Sequence, residues 1–152
     1  MAATAAYRRP GALMRRVMNP LLMLAMRAGV SVWGSRTLEV RGRTTGAVRR
    51  APVNLLRLDG REYLVAPRGD TQWARNVRAD RGRLVLVLGR RREERVAREL
   101  ADDDKVPVLR AYLRRWKAEV GAFFEGVGPD AGDDDLRRIA PAHPVFEVTA
   151  PG

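Results

Sequence analysis

The feature that most constrains the fold of this chain is a series of short strand-like segments joined by tight turns. Asp59-Gly60 is the strongest two-residue hairpin pattern, and it separates a strand-like segment at residues 53–58 from another at 63–66. The alternation predicts further strands over 37–41, 84–88, 94–100 and 144–148, and helices over 71–79, 106–120 and 133–138. Hairpin connections favour antiparallel pairing. We therefore predict a mainly β, α+β fold: a six-stranded antiparallel barrel with helices packed over its ends.

Length and composition limit the domain count and the chemistry. The chain has 152 residues and no cysteine, which excludes disulfides, thiolate nucleophiles and cysteine-ligated zinc. A single histidine, His143, argues against a His-rich metal site and against most Ser-His triads, so we expect no metal. We predict a flexible tail over residues 1–11, followed by a single domain over 12–152.

The domain is predicted to begin with a helix over residues 12–28, interrupted at Pro20. Two interpretations stay open for this helix: it covers one end of the core, or it lies in a membrane interface through its basic flanks and apolar face. The longest apolar run, Pro20 to Met26, is far shorter than the roughly 20 residues that span a bilayer. With no small-residue cleavage site after it, we expect a cytoplasmic protein, with membrane association as the alternative.

The charge is strongly positive and unevenly distributed. The net charge is +11, and residues 41–98 contain 16 basic and 6 acidic side chains. Such an excess predicts an anionic partner: nucleic acid, acidic lipid or a polyanionic small molecule.

One cationic turn stands between two strand-like segments, residues 42–52 with the sequence GRTTGAVRRAP. Its glycines permit positive φ and expose backbone N–H groups, while its arginines and threonines add donors for phosphate or carboxylate. The stretch is not a P-loop, because it lacks Gly-Lys-Ser/Thr and a following helix. Taken alone, such a stretch is more often an ordinary charged hairpin turn.

A second stretch, residues 66–79 with the sequence APRGDTQWARNVRA, places a strand end before a helix. Asp70 or Thr71 is a candidate N-cap, and the helix N-terminus offers free N–H groups beside Arg68. Trp73 and Asn76 fall on one face of the helix. Core packing of Trp73 and a structural amide at Asn76 are the alternatives to a binding role.

Taken together, the two stretches resemble the deazaflavin-dependent nitroreductase family, split β-barrel oxidoreductases that bind coenzyme F420. The family pattern is Gly-Arg-x-[Ser/Thr]-Gly-x-x-Arg-x-x-Pro, then a basic residue and glycine, then Trp-x-x-Asn-[Leu/Val]. It is matched here at Gly42, Arg43, Thr45, Gly46, Arg49, Pro52, Arg68, Gly69, Trp73, Asn76 and Val77. Asp70 stands where the family has a second glycine, and its charge beside an anion is expected to be unfavourable unless it caps the helix.

The resemblance implies a set of site residues. Coenzyme F420 carries a phosphodiester and an oligoglutamate tail, which suits the basic middle of the chain. By this resemblance the cofactor-binding residues are Arg43, Thr44, Thr45, Arg49, Pro52, Asn54, Val65, Ala66, Arg68, Gly69, Trp73 and Asn76. The arginines and Thr45 would hold the phosphate and tail, residues 52, 54, 65 and 66 would line the deazaflavin ring, and Trp73 and Asn76 would support the loop. No side chain is expected to be catalytic, because the cofactor carries the hydride chemistry.

The implied function is F420-dependent hydride transfer with a small, apolar, flat or unsaturated acceptor of quinone, enone or nitroaromatic type. Trp116, Phe123 and Phe124 are candidates for the substrate pocket, with core packing of a late helix as the alternative. We expect a homodimer. The rival hypotheses are an FMN-binding split-barrel oxidoreductase and a basic nucleic-acid-binding β-barrel. The second is disfavoured because only Tyr63 and Trp73 are aromatic between residues 41 and 98.

Overall fold

A computed structural model describes residues 34–152 of the chain. The strands are β1 (Ser35–Arg41), β2 (Val48–Leu58), β3 (Arg61–Val65), β4 (Arg83–Leu88), β5 (Arg91–Glu99) and β6 (Val145–Thr149). The helices are α1 (Gln72–Ala79), α2 (Val106–Val120) and α3 (Asp133–Ile139), with short 3-10 helices at Asp102–Lys105, Gly121–Phe123 and Ala140–Ala142.

The six strands form a closed antiparallel barrel in the order β1-β2-β3-β6-β5-β4. The Asp59-Gly60 hairpin joins β2 to β3, with both turn residues at positive φ (52° and 78°) and Leu58 paired with Arg61. A two-residue turn of this type matches the right-handed twist of the strands that it connects. The predicted six-stranded antiparallel barrel is confirmed.

The first hairpin is tighter than the sequence pattern suggested. Strand β2 begins at Val48, opposite Arg41, instead of near residue 53. The antiparallel ladder continues through Pro52, which pairs with Thr37. The cationic turn is therefore limited to residues 42–47, and Arg49, Arg50 and Pro52 are strand residues with exposed side chains.

Two apolar clusters stabilise the fold. One fills the barrel with the inward side chains of alternate strand positions, among them Leu38, Leu64 and Phe146, and Ala74 and Val77 of α1 close one end of it. The other lies outside the barrel, where α2 and α3 cover Leu56, Tyr63 and Val145. Each cluster buries one face of the sheet, as a two-layer domain requires.

The opposite end of the barrel is polar. The inward positions of β2 and β3 change from the pair Leu55 and Leu64 to the pair Arg57 and Glu62. Glu62 also forms an ion pair with Arg95 of β5 at 3.1 Å. Partly exposed ion pairs, instead of a second helix, thus occupy this end.

A short 3-10 turn precedes α2. Asp102, Asp103 and Asp104 form this turn, and Lys105 occupies the N-cap position of α2 without a side-chain cap bond. Lys105 is buried, donating from Nζ to the Ala140 carbonyl oxygen at 3.0 Å and to Asp102 at 2.8 Å. A buried ammonium needs both partners, and these contacts tie α2 to the segment after α3.

The predicted tail over residues 1–11 and the predicted helix over residues 12–28 lie outside the described residues. Within residues 34–152, no helix combines the length and the apolar character required to cross a lipid bilayer.

Candidate functional site

The cationic turn between β1 and β2 is a compact loop closed by its glycines. The Gly42 N–H donates to the Ala47 carbonyl oxygen at 2.7 Å, and the Gly46 N–H donates to the Gly42 carbonyl oxygen at 2.9 Å. Gly46 has φ +78°, and a Cβ at Gly42 would lie 3.0 Å from the Ala47 oxygen. Side chains larger than glycine would therefore strain or open this loop at both positions.

Asn76 anchors the turn to α1. Its Oδ1 accepts the Arg43 backbone N–H at 3.1 Å and the Arg43 guanidinium Nη1 at 2.8 Å. Asn76 is buried on the inner face of α1. This supports the predicted role of Asn76 as a buttress for the loop, and it fixes both the backbone and the side chain of Arg43.

The turn and the end of α1 enclose a groove of about 430 Å³, called the turn groove here. It is lined by residues 41–46 together with Ala79 and Asp80. Three of the predicted binding residues, Arg43, Thr44 and Thr45, lie together in it. Arg49 lies beside it, since its Cγ and Nε would be 3.5 Å from a Cβ on Gly42.

The turn groove is electrostatically suited to an anion. Within residues 34–152, Arg41, Arg43 and Arg49 take part in none of the ion pairs that tie other barrel arginines, such as Arg50 and Arg92, to carboxylates. The backbone N–H groups of Thr44 and Thr45 likewise donate no hydrogen bond within this part of the chain. Guanidinium groups and free turn N–H groups together make an anion-binding nest.

Arg68 and Gly69 lie elsewhere, in the loop from β3 to α1. Gly69 has φ +101° and its N–H donates to the Ala66 carbonyl oxygen at 3.2 Å. The Arg68 guanidinium sits over the ring of Phe123, 5.9 Å from its centroid. Neither residue lines the turn groove, so the structure does not bring Arg68 together with Arg43.

Asp70 does not cap α1, and its charge is balanced in another way. Thr71 occupies the N-cap position, without a side-chain cap bond. The Asp70 carboxylate accepts hydrogen bonds from Arg75 at 3.2 Å and from Arg78 at 2.5 Å. Burial alone would raise the pKa of Asp70, but these hydrogen bonds outweigh it and hold the pKa below its usual range. The expected conflict between Asp70 and an anion is thereby reduced.

The predicted ring-lining residues divide between surface and core. On β2, Pro52 is exposed and Asn54 is half-buried on the outer face, where the Ser35 hydroxyl donates to Asn54 Oδ1 at 3.4 Å. Val65 and Ala66 are buried, and Val65 belongs to the cluster under α2. Trp73 is half-buried and packs on the barrel cluster, with its ring 5.8 Å from Phe146.

The three predicted substrate-pocket aromatics also differ from one another. Trp116 and Phe124 are 1% and 0% exposed, and each ring packs against Tyr112. Both side chains lie in the core of this structure. Phe123 is half-buried, and its ring is reached by Arg68.

Sequence reasoning missed an ion triad on the outer face of the barrel. Glu39 of β1 is 6% exposed and accepts hydrogen bonds from Arg50 of β2 at 2.6 Å and from Arg92 of β5 at 2.5 Å. The Arg92 hydrogen bond is the largest cause of a lowered pKa at Glu39. A glutamate in an alternating strand normally indicates an exposed side chain, so no pattern in the sequence revealed its burial.

The chain was compared with protein families, curated proteins and solved structures. The family model described as F420H(2)-dependent quinone reductase matches residues 25–125. No curated protein matches the chain. Among the residues that the structure describes, no group of His, Cys, Asp and Glu is arranged to hold a metal ion.

Several solved structures share the fold. A structure described as a domain-swapped dimer is 20% identical, with a TM-score of 0.55, covering 90% of this chain and 96% of that chain. An F420-H2-dependent reductase is 19% identical, with a TM-score of 0.53, covering 76% of this chain and 94% of that one. A conserved hypothetical protein from Mycobacterium tuberculosis is 18% identical, with a TM-score of 0.53, covering 86% and 79%. At these identities the likeness establishes the barrel fold.

Proposed function

Since the chain belongs to the F420H(2)-dependent quinone reductase family, it is an F420-dependent oxidoreductase, and we propose that its acceptor is a small quinone. The predicted resemblance is confirmed for the cofactor and the reaction class. The family description favours quinones over the enones and nitroaromatics that the sequence left open.

The donor set of the turn groove fits the anionic part of this cofactor. Coenzyme F420 carries a phosphodiester, and the groove offers Arg41, Arg43 and two threonines around about 430 Å³. We assign the phosphodiester to Arg43, Thr44, Thr45 and Arg49, because charge-assisted hydrogen bonds from guanidinium groups are the strong ones. The single observation that carries this assignment is the turn held in place by Asn76.

The deazaflavin ring is assigned to the outer face of β2 beside Pro52 and Asn54, with Val65 and Ala66 behind it. Arg68 and Gly69 would contact the cofactor from the loop between β3 and α1. Trp73 supports this loop from behind, since it packs against Phe146 in the barrel.

When bound, the reduced deazaflavin supplies a hydride, which together with one proton converts a quinone to its quinol. The protein residues bind and orient the two reactants and exclude water from between them. Phe123 is the residue proposed to face the quinone ring, because it is the partly exposed member of the three aromatics. Trp116 and Phe124 would hold it from the core.

The proposal also includes an oligomeric state and a cellular location. We propose a homodimer, in line with the domain-swapped dimer among the structures of this fold. We also propose a cytoplasmic protein that contacts the membrane, where apolar quinones reside, through its N-terminal residues.

The test is equilibrium binding of oxidised F420 to the purified protein, with FMN alongside, followed by F420H2 oxidation with a quinone, an enone and a nitroaromatic. Arg43→Ala should weaken F420 binding about 10-fold to 100-fold, as expected for a lost charge-assisted hydrogen bond. Arg114→Ala is the matched control, because Arg114 is exposed on α2, outside the turn groove. Binding of FMN in preference to F420, or equal effects of the two variants, would contradict the assignment.

A further inference from the structure

The carboxylate of Asp70, at the end of the loop from β3 to α1, is bound by side chains of the helix instead of by its backbone. An aspartate just before a helix commonly accepts a backbone N–H of the first turn. Here Asp70 accepts Arg75 Nε at 3.2 Å and Arg78 Nη1 at 2.5 Å. These two arginines lie on the body of α1, so the carboxylate ties the loop to the helix that follows it.

Arg78 extends this connection to the barrel wall. Its Nε and Nη2 donate to Glu99 Oε1 and Oε2 at 2.7 and 2.6 Å, and Glu99 is the last residue of β5. The hydrogen bond to Glu99, together with the one to Asp70, raises the pKa of Arg78 above its usual value although burial opposes this. Isolated surface ion pairs contribute little, but a bidentate pair within a network is the exception.

These four side chains, Asp70, Arg75, Arg78 and Glu99, are called the loop clamp here. The loop that they hold contains few contacts of its own. Its backbone bonds are Gly69 N–H to the Ala66 oxygen at 3.2 Å and Thr71 N–H to the Gly69 oxygen at 2.9 Å. Segments with few contacts open readily unless other groups hold them. The loop clamp fixes the chain at the residue directly after Gly69.

Helix α1 therefore positions two segments of the site at once. Asn76 binds the cationic turn, whereas Arg78 binds the loop and β5. The two residues are separated by roughly 200° around the helix, so they act on opposite sides of it. The turn and the loop are thus held to a single rigid element.

We propose that Asp70 is a positioning residue, which acts through Arg78 and Glu99 to hold the Arg68–Gly69 loop in place before the cofactor binds. The proposal rests on the proposed function, in which this loop contacts F420. A loop that is already ordered does not lose further conformational freedom on binding. The clamp contributes to affinity through this order, without touching the cofactor.

The sign of one charge change tests the proposal. If Asp70 acted only through its charge, Asp70→Asn would tighten the binding of anionic F420. We expect about 5-fold weaker binding instead, because the loop loses its anchor. Asp80→Asn is the matched control: Asp80 lines the turn groove and forms no ion pair within the described part of the chain, so its neutralisation should tighten binding about 2-fold.

Glu99→Gln tests the distant end of the loop clamp. Glu99 lines neither pocket described for residues 34–152, yet its loss frees Arg78 on one side, and we expect about 3-fold weaker binding of F420. Combining it with Asp70→Asn should cost less than the sum of the single effects, because both act through Arg78. In each variant the KM for F420H2 should rise while kcat changes little.

Hydrogen exchange of the cofactor-free protein gives a readout that is independent of binding. The Gly69 and Thr71 amides should exchange about 10-fold faster in Glu99→Gln and at the original rate in Asp80→Asn, with circular dichroism checking the fold of each variant. Tighter binding by Asp70→Asn, or unchanged exchange in Glu99→Gln, would overturn the positioning role while F420 binding by the unsubstituted protein upholds the proposed function. Failure of the unsubstituted protein to bind F420 would overturn both.

Discussion

Asn76 in α1 and Arg43 in the first hairpin form a two-point contact, in which one amide oxygen accepts both the backbone N–H at 3.1 Å and the guanidinium at 2.8 Å. The residues are 33 positions apart, so the contact couples the helix that closes the barrel to the loop that we assign to phosphate.

Removing this contact should loosen the turn. Asn76→Ala leaves two donors of Arg43 without their acceptor, and we expect F420 affinity to fall about 10-fold as the turn loses its fixed conformation. Gln72→Ala, an exposed change in the same helix, is the control. The Arg43 amide should exchange its hydrogen faster in Asn76→Ala. Unchanged exchange and unchanged affinity would show that the contact does not order the turn.

Gly82 should be intolerant of any side chain. Its φ is +82°, and a Cβ there would lie 2.2 Å from the Ala97 carbonyl oxygen of β5. We expect Gly82→Ala to lower the free energy of unfolding by about 3 kcal/mol or more, as backbone strain and a backbone clash add. Gly60→Ala is the control, with φ +78° and nothing within 4 Å of the added carbon. Urea unfolding should show a much smaller loss for Gly60→Ala, and equal losses would contradict the clash.

Stability should fall in acid. The pKa values of Glu39 and Glu93 are lowered by hydrogen bonds from Arg92 and Arg95, respectively. A carboxyl with a lowered folded-state pKa stabilises the protein above its unfolded pKa, about 4, and this stabilisation is lost as the pH falls through the folded value. Urea unfolding between neutral and acidic pH measures the loss.

Glu39→Gln should flatten this pH dependence and lower stability at neutral pH, because Arg50 and Arg92 lose their shared carboxylate. Glu94→Gln, an exposed change on β5, removes the same charge without breaking the triad. If both variants kept the slope of the unsubstituted protein, the triad would contribute nothing to acid sensitivity.

Substitutions of two adjacent aromatic residues should have separate effects, one on stability and the other on substrate binding. Phe124 is 0% exposed, so Phe124→Ala should cost about 3–5 kcal/mol of stability through cavity formation. Phe123→Leu should change the KM for a quinone with little effect on the free energy of unfolding, because its ring is only half-buried. Thermal unfolding together with steady-state kinetics distinguishes the two. A quinone KM that responds to neither change would remove Phe123 from the acceptor site.

The structural elements that could be predicted from the sequence are those specified by residues close together in the chain. Asp59-Gly60 specifies its turn through two positive φ angles, and strand alternation specifies which side chains enter the barrel. The length of β2 could not be predicted, because Arg49, Arg50 and Pro52 read as a loop until their pairing with β1 is known. That pairing depends on register, which is a tertiary property.

In the candidate site, too, local features could be predicted and tertiary contacts could not. The cationic turn was identified from its own residues, whereas its contact with Asn76 joins segments distant in the chain. The sequence around an aromatic residue does not show whether its side chain lies in the core or lines a pocket. Trp116 and Phe123 therefore could not be distinguished before the packing of α2 was known. The buried Glu39 was missed for a similar reason, since two arginines from other strands compensate its charge.

The position of β6 in the barrel has a consequence during synthesis of the protein. Residues 145–149 pair with β3 on one side and β5 on the other, so the barrel stays open until this segment has left the ribosome. Until then the emerging chain carries two unpaired strand edges and an unsealed apolar interior. Nascent chains stalled before residue 145 should therefore be the form that chaperones bind and proteases cleave.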